Sequence, residues 1–140
     1  MTDHYVSFVQ AKALKLLGFA EKVNHGYYQK IRIETDLSYG NVKEVYSKDP
    51  KNYNDNRKGI EFYSAPRLDQ AAAWLREVKG IAISVQAEVS TGQIWYTADL
   101  CRVGFDDNPL VDGGFPFETY ELAMSAGIGE CLRILIREKQ

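Results

Sequence analysis

The stretch from Ile81 to Val103, "IAISVQAEVSTGQIWYTADLCRV", constrains the fold more than any other part of the chain. Thr91-Gly92 reads as the two-residue turn of a β-hairpin, because taking it so pairs two alternating runs residue for residue. With Ser90 opposite Gln93, the pairs running outward are Val89 with Ile94, Ala87 with Tyr96, Val85 with Ala98 and Ile83 with Leu100. Every one of these pairs is apolar. The other row sets Glu88 against Trp95, Gln86 against Thr97, Ser84 against Asp99 and Ala82 against Cys101. A slip of one residue would carry charge into the core, so the register is determined by burial. A sheet with one apolar face needs helices to cover it.

The flanking segments supply those helices. Ser64 is expected to cap a helix with Pro66 in its first turn, and Leu68, Ala71, Ala72, Leu75 and Val78 on one face. Trp74 falls at the margin of that stripe, as a core-edge residue, and Gly80 ends the helix. Near the start, Ser7 and Gln10 have the spacing of a capping box for a helix over Phe8–Leu17, with Gly18 as its stop and Val9, Ala13, Leu16 and Leu17 as its apolar stripe. Thr119 is expected to cap a last helix from Tyr120 to about Arg137. Strands are expected around Tyr28–Glu34 and Ile60–Tyr63, separated by the polar run "SKDPKNYNDNRKG" at 47–59, which reads as a flexible loop. The expected fold is α+β, in the order α-β-β-α-β-β-α, with helices packed mainly on one face of an antiparallel sheet. At 140 residues the chain suits a single domain, 1–140, that needs neither disulfide nor structural metal.

A net charge of -2 gives no general attraction to polyanions, which disfavours nucleic acid as a partner. The opening "MTDHYVSFVQ" has no basic segment followed by an apolar run, and no apolar run approaches membrane-spanning length. The expected setting is therefore cytoplasmic and away from membranes. Cys101 and Cys131 are too far apart for a zinc knuckle or a CxxC motif and read as reduced, buried thiols.

The strings "LKLLGF", "YSAP", "WLREVKGIAI", "WY" in the hairpin and "FETYELAMSAGIGECL" together resemble a group of small, uncharacterised proteins common in prophages and mobile elements of Bacteroides-type bacteria. The resemblance spans most of the chain. It implies a phage or mobile-element setting and supplies no catalytic residues.

Candidate chemistry is sparse. His4 and His25 lie in segments read as a terminus and a loop, without the positioned acid, base or nucleophile that catalysis requires. Asp106, Asp107, Asn108 and Asp112 offer oxygen ligands but lack the order and closing Glu of a calcium loop. No metal, cofactor or catalytic set is therefore expected, and an enzyme is the least favoured class.

Two binding surfaces stand out instead. Trp95 shares an otherwise polar sheet face with Glu88, so something should cover it. On the last helix, Tyr120, Met124, Gly127, Cys131 and Leu135 form a seam for the hairpin. A second seam through Leu122, Ser125, Gly129, Leu132 and Ile136 has the spacing of paired helices. Its neighbour is either a helix of the same chain or the same helix of a second copy. These residues suggest a non-catalytic interaction module working through a protein partner or a homodimer. The alternative is a single-stranded nucleic-acid binder using Lys30, Arg32, Lys43, Lys51, Arg57 and Lys58. Tyr27, Tyr28, Tyr39, Tyr46, Tyr53 and Tyr63 would be its stacking surfaces.

Overall fold

The computed structural model describes residues 4–30, 41–54, 56, 59–102 and 116–139. Its elements are α1 (Phe8–Leu16), β1 (Val23–Lys30), β2 (Lys43–Lys51), β3 (Ile60–Ser64), α2 (Leu68–Lys79), β4 (Ile81–Ser90), β5 (Gln93–Arg102) and α3 (Tyr120–Lys139). The class is α+β and every strand pair is antiparallel. The order gains a strand over the expected one, becoming α-β-β-β-α-β-β-α, and the described strands form two sheets, β2-β1-β3 and β4-β5. Among the described residues no helix is long and apolar enough to cross a membrane.

Tyr5–Pro66 form one compact unit, and His4 with the described part of Arg67–Gln140 forms another. In the first unit the capping box is present: the Gln10 amide donates to Ser7 Oγ at 3.2 Å, and the Ser7 amide donates to Gln10 Oε1 at 3.0 Å. The face that α1 turns inward differs from the expected stripe. Ala11 and Leu14 are buried, whereas Val9 is 74% and Leu16 55% exposed. Aromatic packing sets this rotation. The Phe8 ring lies edge-on to Tyr27 and Tyr63, and Lys15 Nζ sits 4.7 Å over the Tyr63 ring while donating to the Phe62 carbonyl at 3.0 Å. Positions 8, 11 and 15 share a helix face, so these contacts outweigh the apolar count of the opposite side.

Strand β1 begins at Val23, five residues earlier than expected, and residues 31–34 lie outside the described residues. Gly26, next to the His25 expected in a loop, is inside this strand for a packing reason. A Cβ there would stand 2.8 Å from the Tyr63 carbonyl oxygen and 3.0 Å from the Tyr53 ring. Only glycine allows that approach.

The expected loop at 47–59 is corrected over its first part, because Ser47–Lys51 belong to β2. The following residues are pinned. Tyr53 is buried, its amide donates to Ser64 Oγ at 2.7 Å, and its hydroxyl bonds Ser47 Oγ. Asn54 donates to the Phe19 carbonyl at 2.7 Å and accepts from the Ser64 amide at 2.8 Å. Polar side chains that look solvated in sequence thus satisfy buried backbone groups. Ser64 is consequently not a helix cap; α2 starts at Leu68, with Arg67 in the cap position.

In the second unit the hairpin register is as expected at every pair from Ser90–Gln93 to Ile83–Leu100. Thr91 and Gly92 have φ of 50° and 77°, the two positive angles of a type I′ turn. Helix α3 packs on β4, β5 and α2, and α2 also packs on β4. Trp74 is buried within this unit's α2. A Cβ on Gly127 would meet Ile83 Cγ2 at 2.8 Å and Ala98 Cβ at 3.2 Å, so this glycine admits the hairpin's apolar face against α3. Thr119 caps α3, accepting from the Leu122 amide at 3.1 Å. At the far end Arg102 Nη2 donates to both oxygens of Glu138 at 2.8 Å, tying β5 to the last turn of α3.

Candidate interaction surface

The hairpin is buried at its base and bare at its tip. Ile81 and Leu100 are buried, while Val89 is 76% and Ile94 54% exposed on the same apolar row. Twist and length carry the last pairs past the helices that cover the base. On the other row Trp95 is half-buried and faces Glu88, which is exposed; Thr97, two residues on, is buried. A short segment closes the outer edge of β5: Tyr96 and Phe117 exchange amide-to-carbonyl bonds of 2.8 Å in both directions. The Tyr96 ring lies edge-on to Tyr120 at 6.3 Å.

The second seam of α3 divides. Leu132 is buried, so it is not a surface residue. Ser125, Gly129 and Ile136 are half-buried, and Leu122 is 53% exposed. Since α3 packs on α2 as well as on the hairpin, α2 is a neighbour of this helix within the chain. Val78, expected on the buried face of α2, is exposed.

The titratable cluster missed in the sequence centres on His25. The imidazole is 7% exposed, with the Tyr5 and Tyr27 rings at 4.5 and 5.1 Å. Its Nε2 is 3.7 Å from Glu44 Oε1, beyond hydrogen-bond reach, and its buried Nδ1 has no hydrogen-bond partner among the described residues. Burial lowers the His25 pKa, outweighing the opposing pull of Glu44, and burial together with Glu44 raises that of Tyr27. The Tyr27 hydroxyl donates to the Val6 carbonyl at 3.0 Å. The loop reading of His25 is therefore corrected: it is a neutral core residue of β1. Alternation of Val23, His25 and Tyr27, all buried, is the signal that would have shown it.

Of the thiols, Cys131 is buried and its pKa is pushed up to about 12 by desolvation, which leaves it unreactive. Cys101 is exposed rather than buried, because its row of the hairpin faces away from the apolar side. His4 lines a cleft of about 140 Å³ with Arg67, Leu68, Asp69, Tyr120, Glu121 and Met124, where an ion pair joins Arg67 and Asp69. No group of three His, Cys, Asp or Glu among the described residues is placed to hold a metal ion. Asp106, Asp107, Asn108 and Asp112 lie outside the described residues.

The basic residues do not converge. Lys43 pairs with Tyr28 beside Lys30 at one end of the β1–β2 ladder, and Lys51 pairs with Val23 at the other. Their β1 partners are five strand steps apart, roughly 17 Å, the surplus of β2 being taken up in the irregular pairing between Val23 and His25. Arg32, Arg57, Lys58 and Tyr39 lie outside the described residues. Tyr27, Tyr53 and Tyr63 are buried and unavailable for stacking, which leaves Tyr28 half-buried and Tyr46 exposed. Compared with protein-family models, with curated proteins and with solved structures, the chain gives no match.

Proposed function

We infer that the chain is a non-catalytic interaction module, a phage or mobile-element accessory protein that works through protein contacts at the hairpin tip and the open side of α3. The observation that supports this reading is the exposure of Val89, Ile94 and Leu122. Large apolar side chains gathered at an element's end are a binding surface in waiting, because their burial by a partner removes apolar area from water at about 25 cal/mol per Å². Trp95 and Glu88 flank the tip on its other row, with Ser125, Gly129 and Ile136 continuing from Leu122 along the helix. The cytoplasm and a protein partner, a second copy included, fit a module of this kind.

The reading is tested by capture. Tagged chain, incubated with nuclease-treated extract of the cells that encode it and with an untagged copy of itself, is expected to retain a protein at a fixed ratio. Ile94→Lys and Leu122→Lys together are expected to abolish retention without changing the circular dichroism spectrum. Retention that disappears on nuclease treatment, or that the double substitution leaves intact, would overturn it.

A further inference from the structure

The two sheets treat their edges differently. In the first unit β2 is, among the described residues, an edge strand and carries Lys43, Lys48, Pro50 and Lys51, and its pairing with β1 is interrupted between Val23 and His25. Lysines, proline and bulges are the usual devices that keep an edge from recruiting another strand. The partner edge β3 is short, at 5 residues. In the second unit β4 runs 10 residues, "IAISVQAEVS", with an unbroken ladder, no lysine, no proline and Glu88 as its one charge. Among the described residues no strand pairs with its outer edge. Gln86–Ser90 are exposed throughout.

The turn determines which backbone groups that edge offers. Residues flanking a two-residue turn form a hydrogen-bonded pair, and such pairs alternate along the ladder. Ser90, Glu88, Gln86, Ser84 and Ala82 therefore direct their amides and carbonyls to β5. Those of Val89, Ala87, Val85 and Ile83 point outward. The outward backbone groups thus belong to the same residues that form the apolar row.

We propose that the outer edge of β4 pairs antiparallel with the β4 edge of a second copy, across a two-fold axis near Gln86, making one continuous four-stranded sheet. This register sets Ile83 against Val89 and Val85 against Ala87 of the other copy, each pair exchanging two hydrogen bonds. It sets Glu88 against Ser84, so no like charges meet. A shift of one residue would oppose outward groups with inward ones and apolar rows with polar ones, so only even shifts are allowed. Self-pairing satisfies the same residues on both copies, as an isologous contact requires. The proposal specifies a partner for the interaction module proposed above and rests on that reading.

Sedimentation velocity over a range of concentrations, with amide hydrogen exchange of the full chain, tests it. The wild-type chain is expected to sediment as a concentration-dependent dimer, with the amides of Val85, Ala87 and Val89 gaining protection as the dimer forms. Ala87→Pro removes an outward donor but no hairpin bond, and Val89→Lys places a charge on the apolar row. Each is expected to weaken dimerisation by about tenfold or more. A monomer at every concentration, or a dimer that both substitutions leave unchanged, overturns the proposal. Where a substituted chain fails to fold, the wild-type exchange decides: protection of the three amides independent of concentration overturns it. A monomer that still retains a partner in the nuclease-treated capture overturns the β4 pairing alone, whereas loss of both overturns the interaction module too.

Discussion

His25 shows how one side chain couples packing to pH. Its pKa is lowered from the ordinary 6.5 by burial, so the unfolded chain binds a proton more readily than the folded one as the solution becomes acid. The neutral imidazole's contribution to stability is complete above the ordinary histidine range. It is lost as pH falls through the lowered folded-state value. The imidazole carbon-bound protons, followed by NMR, are expected to titrate below pH 6.5; a midpoint at or above that value would contradict the burial argument. Gly26, the next residue, is held by backbone rather than by a side chain. Gly26→Ala presses its Cβ toward the Tyr63 carbonyl, which cannot retreat without breaking the β1–β3 ladder. A cost of about 2 kcal/mol or more is expected from urea denaturation. The sequence hid this pair, because a histidine and glycine among tyrosines look like a loop until β3 is known to lie alongside.

At the scale of elements, the tie that links β2 to β3 is the point where polar composition misleads. Asn52, Tyr53 and Asn54 bring one buried aromatic and two amide side chains to the buried Ser64. Replacing Asp49–Lys58 with a Gly/Ser linker is expected to lower the unfolding midpoint sharply, and Tyr53→Ala alone to cost about 3 kcal/mol. An unchanged midpoint on calorimetry would return the segment to the status of a loop. Helix α3 makes the complementary point. Alanine at Gly127 would gain about 1 kcal/mol of helix propensity. Contact with Ile83 and Ala98 opposes this gain, so Gly127→Ala is expected to be net destabilising in chemical denaturation, and Gly127→Leu more so. The seams of α3 were legible as period, yet which glycine takes the close approach was not, since both fall on apolar stripes.

Over the whole molecule, charge and aromatic placement bear on the nucleic-acid alternative together. The net charge is -2, Lys51 stands at the opposite end of its ladder from Lys43, and Tyr27, Tyr53 and Tyr63 are in the core. Single-strand binders instead combine a continuous basic groove with accessible rings. Fluorescence anisotropy with a labelled oligonucleotide is expected to show no binding at physiological salt. Micromolar or tighter binding that weakens steeply with added salt would reinstate the alternative.

The α+β class, the capping box of α1, the hairpin register and the start of α3 can all be read from the order of residues alone. Each depends on residues a few positions apart or on one strict alternation, so local chemistry suffices. The rotation of α1, the burial of His25, the strand at Lys43–Lys51 and the division into two sheets were decided only by tertiary structure. In these, the favourable term comes from partners distant in the chain: Lys15 on Tyr63, Tyr53 on Gly26, Asn54 between Phe19 and Ser64. Polar groups that water would satisfy equally well give no local signal of which buried backbone group they will meet.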